Sequence, residues 1–200
     1  MEQTKTKEKN REIDMLHGKL AGKLIMFALP LAFSTILQQL FNSADVAVVG
    51  RFAGSSALAA VGSSVALVGI FVNLITGLSV GPNAALANLI GQISAMLHTI
   101  LTFGLILGIG LMCLGFIIAK PVLVVSGTPD SVMDQAMLYI RIYLLSIPFM
   151  LLYNFGAAAL RSYGDSKRPM YYLLLAGVVN VVLNLLLVVG VHLGVEGVAI

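Results

Sequence analysis

Sixty-eight consecutive residues, from 52 to 119, contain no Asp, Glu, Lys or Arg. A soluble fold of 200 residues cannot leave so long a segment uncharged, because part of it would have to face water. Charged residues make up 10% of the chain and hydrophobic residues 58%, whereas soluble domains are about 25% charged. These proportions indicate a polytopic membrane protein. They argue against a soluble enzyme, a disordered tail and a nucleic-acid-binding domain.

The apolar segments are long enough to cross a membrane several times, since one crossing needs about 20 residues. Five such segments, numbered spans 1 to 5, lie at about residues 24–50, 57–80, 95–119, 136–160 and 170–191. A sixth begins near residue 194 and is cut off by the end of the sequence. Helix breakers between Gly81 and Gln92 predict a turn between spans 2 and 3. We therefore expect an all-α membrane protein with five complete transmembrane helices and the start of a sixth.

The positions of Lys and Arg predict how the chain is oriented. Six of the twelve occur in the N-terminal tail, residues 1–23. Three more flank the turn between spans 4 and 5: Arg161, Lys167 and Arg168. The other three fall on the opposite side: Arg51, Lys120 and Arg141. Because positive loops are retained in the cytoplasm, we predict a cytoplasmic tail, a membrane domain over residues 24–200 and a location in the cell membrane.

Asp45 is the one acidic residue within the five predicted spans. Ser34, Gln38, Asn42 and Asp45 follow one another at intervals of four, four and three, so they share one helix face. Lipid cannot satisfy such a face, which must point into the bundle. A carboxylate there favours a site for H⁺, Na⁺ or a cationic substrate. The alternative is a purely structural role, specifically an ion pair with Arg141 at similar depth in span 4.

Other polar residues within the spans are weaker candidates. Asn180 and Asn184 lie one turn apart in span 5, where their amides suit either cation coordination or hydrogen bonds between helices. Asn73 of span 2, with Tyr143 and Asn154 of span 4, suits either a cavity wall or helix packing. The spacing alone does not decide between these roles.

The sequence lacks the motifs of several enzyme classes. It contains no P-loop, no zinc-protease motif and no nucleophile-elbow motif, and Cys113 is its single cysteine. A membrane-embedded enzyme would require a cluster of nucleophiles or metal ligands near one interface, and no such cluster is visible. We therefore expect a protein that is not an enzyme and needs no cofactor beyond a coupling ion.

Several separate blocks of the sequence resemble the MATE family (multidrug and toxic compound extrusion). In chain order they are Asn42-Ser43-Ala44-Asp45, Val49-Gly50-Arg51, Ala57-Leu58-Ala59-Ala60-Val61-Gly62, Tyr139-Ile140-Arg141-Ile142-Tyr143 and the segment 160–169. The order and spacing of the blocks match the family along nearly the whole chain after about residue 20.

The resemblance implies a fold of twelve helices in two six-helix lobes, of which this chain is the first. It also implies antiport of organic cations or drugs against Na⁺ or H⁺ by alternating access. The expected partners are the lipid bilayer, a small organic cation and a missing C-terminal lobe, with no nucleic acid.

The resemblance also assigns roles to particular residues. Asp45 occupies the position of the family's coupling acid, and Asn180 matches an asparagine that joins it in some members. Many members have an aspartate one turn later, where this chain has Asn184, so a second carboxylate is missing. We expect the coupling ion at these three residues, with any Na⁺ at Asp45 and Asn180. The expected substrate cavity is lined by Gln38, Asn42, Asn73, Tyr143 and Asn154.

Two other interpretations remain open. One is a lipid-linked sugar flippase of related fold, which would need more basic residues in its cavity to meet a pyrophosphate. The other is a non-transporting membrane fragment. This second interpretation rests on the short link at Gly91-Gln92 and on the end of the chain at the start of span 6. Such a partial chain is not expected to transport by itself.

Overall fold

A computed structural model of the chain describes residues 20–88, 93–191, 193 and 195–199. Almost all of them are helical, and the helices are α1 (Leu20–Val48), α2 (Ser55–Leu78), α3 (Val80–Asn88), α4 (Ile93–Val125), α5 (Asp130–Ser162), α6 (Lys167–Leu185) and α7 (Val195–Ala199). Five segments of the described chain are long and apolar enough to span a membrane, and they contain α1, α2, α4, α5 and α6. The expected all-α architecture is confirmed, with α7 at the start of the sixth span.

The helices extend beyond several of the predicted spans. Span 3 was placed at 95–119 and span 4 at 136–160, but α4 continues to Val125 and α5 already begins at Asp130. A helix of 33 residues is about 50 Å long, well beyond the roughly 30 Å of hydrocarbon. Hydropathy detects only the part inside lipid, whereas backbone hydrogen bonds continue into the interface. The predicted tail lies mostly outside the described residues, and so does the link at Gly91-Gln92.

The turn predicted between Gly81 and Gln92 is partly wrong. Its described part, residues 81–88, is helical and belongs to α3, which follows α2 after Ser79, whereas residues 89–92 lie outside the described residues. Pro82 stands in the first turn of α3, where a helix tolerates proline because those backbone N–H groups have no partner within the helix.

α5 is the central helix of the described bundle. One side of α5 is fully buried between α2 and α4, along Ile140, Leu144, Ile147, Leu151 and Phe155. Glycines of α4 allow this close approach, since a Cβ at Gly108 would lie 2.6 Å from the Pro148 backbone. Small residues of this kind let membrane helices pack backbone to backbone.

α1 packs mainly against α6, and these two helices form a second layer. The ring of Phe41 occupies the space where a side chain at Gly177 would begin, so the two backbones meet closely at this point. Both helices end in π-helical turns, Val49–Ala53 after α1 and Leu186–Gly190 after α6, and these turns contact each other. We call this side of the bundle the α1–α2 end.

The opposite side, the α5–α6 end, is built around Asp165. Its Oδ1 accepts the backbone N–H groups of Lys167 and Arg168, each at 3.1 Å. Its Oδ2 lies 2.9 Å from Nε of Arg168 in a salt bridge. The carboxylate therefore caps the start of α6, and Gly164 at φ +82° supplies the left-handed turn before it.

Candidate functional site

A cavity of about 1110 Å³ separates the α1/α6 layer from α2 and α5. The face of α1 that carries the predicted polar stripe opens onto it, while α2 contributes a mainly apolar wall that includes Val61, Val65, Val68 and Val72. α5 contributes a polar and aromatic wall, made of Tyr139, Tyr143, Ser146, Met150, Tyr153, Asn154 and Arg161. The volume is large enough for a drug-sized molecule.

Asp45 lies at the α1–α2 end of this cavity, hydrogen-bonded to α6. Nδ2 of Asn184 donates to Oδ1 of Asp45 at 2.6 Å. The same nitrogen donates to Oδ1 of Asn180 at 3.3 Å. Asp45 and Asn180 line the cavity, whereas Asn184 is only 1% exposed. One buried amide therefore holds a carboxylate oxygen and an amide oxygen together at the cavity wall.

Of the two roles that the sequence left open for Asn180 and Asn184, the structure shows the hydrogen bond between helices for Asn184. The bond from Asn184 to Asp45 joins two helices that are far apart in sequence, so it is a structural contact. It also gathers oxygen atoms of the kind that bind hard cations.

The other predicted cavity residues separate into two groups. Gln38, Asn42, Tyr143 and Asn154 line the cavity. Asn73 is exposed on α2 but lies outside the cavity lining, so the structure does not bring it to the site. Val72 and Thr76 of α2 line the cavity instead. These two residues are four apart and share one face of the helix, whereas Asn73 is rotated away from that face.

The ion pair between Asp45 and Arg141 does not form. Among the described residues the partner of Asp45 is Asn184, and Arg141 is exposed outside the cavity lining. Arg141 directly follows Ile140, which is buried in the core. It lies two positions from each of the cavity-lining residues Tyr139 and Tyr143, and a step of two positions turns to a different side of a helix. Asp45 and Arg141 therefore lie at similar depth in their spans, but Asp45 lines the cavity and Arg141 does not.

Tyr139 and Arg161 are among the cavity residues that were not identified as site residues from the sequence. The sequence placed Tyr139 only in one of the blocks that resemble the family, yet it lines the cavity together with Asp45. Arg161 was counted only as a charge that retains a loop, yet its side chain lines the α5–α6 end of the cavity. The sequence contained one indication of this role for Arg161, which follows the predicted end of span 4 by a single residue and so lies at the edge of that span.

Comparison with protein families supplies the identity of the fold. The family model described as MatE matches residues 30–186, which include the whole cavity lining. The chain belongs to the MatE family. The family resemblance inferred from the sequence blocks is therefore confirmed.

Two curated relatives of this MatE chain come from Bacillus subtilis strain 168. The chain is 33% identical over 181 residues to the "Probable multidrug resistance protein YoeA", covering 86% of this chain and 39% of the relative. It is 31% identical over 194 residues to the "Probable multidrug resistance protein YpnP", covering 93% and 43%. The chain thus spans about two fifths of the length of these relatives.

Solved structures of the family have the same fold. One is described as the outward-facing conformation of a multidrug resistance MATE family transporter of the MOP superfamily. It superposes with a TM-score of 0.83 at 26% identity, over 94% of this chain and 43% of that one. The five spanning segments correspond to the N-terminal lobe of such a transporter, as expected from the sequence.

Proposed function

We propose that this chain forms the N-terminal lobe of an ion-coupled antiporter that exports organic cations or drugs by alternating access. The proposed location is the cell membrane, with the N-terminus in the cytoplasm. The observation that carries the proposal is the cluster of Asp45, Asn180 and Asn184 on the wall of a cavity large enough for a drug. A carboxylate inside a membrane bundle is a functional site by default, because its charge is costly there.

The cluster suggests how one carboxylate could exchange an ion. In the observed state the Asn184 amide donates toward oxygens of both Asp45 and Asn180. Turning that amide over replaces its NH₂ group with its oxygen. Three oxygens then face one point, which suits Na⁺. The same turn lets a protonated Asp45 donate to Asn184, which suits H⁺. In both cases a charged Asp45 is neutralised at the moment of ion binding.

The proposed substrate is an organic cation with an apolar body. Val61, Val65, Val68 and Val72 offer an apolar wall, and rings on α5 stand opposite the polar face of α1. Among the described lining residues Asp45 is the one acidic side chain, so a cation gains its charge partner there. Substrate and coupling ion would compete for the same carboxylate, which links their opposite movements.

The flippase alternative receives less support from the cavity. A pyrophosphate-bearing lipid needs several basic side chains, and the described lining contains one, Arg161. The proposed exporter needs a second lobe, because alternating access moves one lobe against the other around a central site.

The test is Asp45→Asn in the complete transporter of which this chain is the first lobe. We expect export of a fluorescent cation such as ethidium, driven by an imposed Na⁺ or H⁺ gradient, to fall to background while expression and folding persist. Asp134→Asn is the matched control, since Asp134 is an exposed carboxylate near the start of α5 and lies outside the cavity lining. Unchanged gradient-driven export by Asp45→Asn would contradict the assignment.

A further inference from the structure

Arg161 lies in the last turn of α5 and lines the α5–α6 end of the cavity. Its Nε is buried and has no hydrogen-bond partner among the described residues. An arginine that lines a cavity in a membrane bundle usually pairs with another group, because an unpaired buried charge is costly. Arg161 therefore contributes to the cavity wall a guanidinium whose buried Nε has no partner among the described residues.

Three polar side chains at or near this end of the cavity, Asp165, Tyr153 and Asn154, already have other partners. The Asp165 carboxylate is occupied by Arg168 and by the backbone N–H groups that begin α6. The Tyr153 hydroxyl donates to the carbonyl oxygen of Pro169 at 3.0 Å. The Asn154 amide donates to the Met150 carbonyl of its own helix at 2.8 Å. No described carboxylate forms a salt bridge with Arg161.

Arg161 is also far from the Asp45 cluster. Arg161 lies 22 positions after Tyr139, the α5 residue at the Asp45 end, which corresponds to about 33 Å along the helix. A small organic cation at Asp45 cannot reach that distance. The two ends of the cavity thus carry opposite charges and would bind different groups.

We propose that Arg161 forms an oxyanion-binding site that takes a phosphate group at the α5–α6 end of the cavity. A guanidinium binds phosphate through two parallel hydrogen bonds, and this planar arrangement distinguishes it from the point charge of lysine. The apolar α2 wall of the same cavity suits the apolar part of an amphiphile, whether a membrane lipid or a water-soluble phosphate ester. The site concerns binding only, so it stands or falls independently of ion coupling at Asp45.

A simpler role for Arg161 makes a different prediction. A positive charge in the last turn of a helix stabilises the negative end of the helix dipole, and lysine does this as well as arginine. Arg161→Lys therefore separates the two roles: the dipole effect is retained and the two parallel bonds to phosphate are lost. Arg161→Gln removes both.

The experiment measures binding to the full chain in a neutral detergent, with two pairs of probes. The lipid pair is dioctanoyl phosphatidic acid against dioctanoylglycerol, detected by native mass spectrometry. The soluble pair is 4-methylumbelliferyl phosphate against 4-methylumbelliferone, measured by equilibrium dialysis. Lys167→Gln is the control, because Lys167 is exposed beside the same turn and outside the cavity lining.

We expect at least one phosphate probe to bind more tightly than its phosphate-free counterpart. Arg161→Gln should weaken that binding by about tenfold or more, Arg161→Lys by a smaller factor, and Lys167→Gln should have no effect. Selective binding of the lipid probe or of the soluble probe identifies the source of the phosphate. Equal binding of phosphate and phosphate-free probes to the unmodified chain overturns the proposal without any variant. Wild-type binding by Arg161→Gln overturns it as well.

Discussion

Asn184 donates a 2.6 Å hydrogen bond to Asp45 across 139 residues of sequence, and this bond joins α6 to α1. Replacing Asn184 with Ala removes the bond and leaves the carboxylate without its described partner. Hydrogen bonds between membrane helices contribute about 0.6 kcal/mol on average and up to about 1.7. We expect Asn184→Ala to lower the free energy of unfolding by about 1 kcal/mol or slightly more, measured by thermal unfolding in detergent.

The matched control for that variant is Asn154→Ala. The amide of Asn154 donates to the Met150 carbonyl within α5, so its loss breaks no described bond between helices. Equal losses of stability in the two variants would show that the contact from Asn184 to Asp45 contributes nothing of its own.

Gly177→Ala should destabilise the fold by forcing α1 and α6 apart at their close contact. The added Cβ collides with the ring of Phe41, whereas Ala at Gly110 on α4 meets no atom within 4 Å. Overpacking of this kind costs about 1–3 kcal/mol, so Gly177→Ala should unfold at a clearly lower temperature than Gly110→Ala. The double variant Phe41→Ala with Gly177→Ala should recover part of the loss that Gly177→Ala adds, because the two sites are coupled. Strict additivity would contradict the contact.

The cavity predicts which face of α5 meets water inside the membrane. Ser146 lines the cavity, whereas Phe149 is 71% exposed and lies outside the cavity lining. In a Cys113→Ser background we expect a charged, water-soluble thiol reagent to modify Ser146→Cys at least about tenfold faster than Phe149→Cys, since lipid excludes charge. Rates measured in native membranes test this, and similar rates would mean that the cavity is closed to water.

The proposed orientation predicts opposite labelling of two exposed positions. In the same Cys113→Ser background, Ser126→Cys between α4 and α5 should react with a membrane-impermeant maleimide in intact cells. Lys167→Cys at the α5–α6 end should react only after lysis. The reverse pattern would place the N-terminus outside, against the excess of positive charge at the α5–α6 end.

The spans and the direction of the polar face of α1 could be predicted from sequence, because both depend on local periodicity and on the length of a membrane crossing. The partner of Asp45 could not, since it depends on which helices become neighbours. The sequence suggested Arg141 as a structural partner because of its similar depth, whereas the packing of α1 on α6 selects Asn184. The prediction for Asn73 failed for a similar reason. A polar residue in a span lines a cavity only if the rotation of its helix turns it that way, and this rotation depends on how the helices pack.

The bond between Asp45 and Asn184 also sets the order in which the bundle can assemble during synthesis. A ribosome that adds about 5–20 residues per second needs roughly 7–28 s to make the 139 residues between the two. Throughout that interval α1 is already synthesised, yet the helix that supplies the partner of its carboxylate does not exist. During this interval the carboxylate of Asp45 cannot form its bond to Asn184 and remains hydrated or in contact with the insertion machinery. The bond between the first and fifth spans can form only after the fifth span has been synthesised.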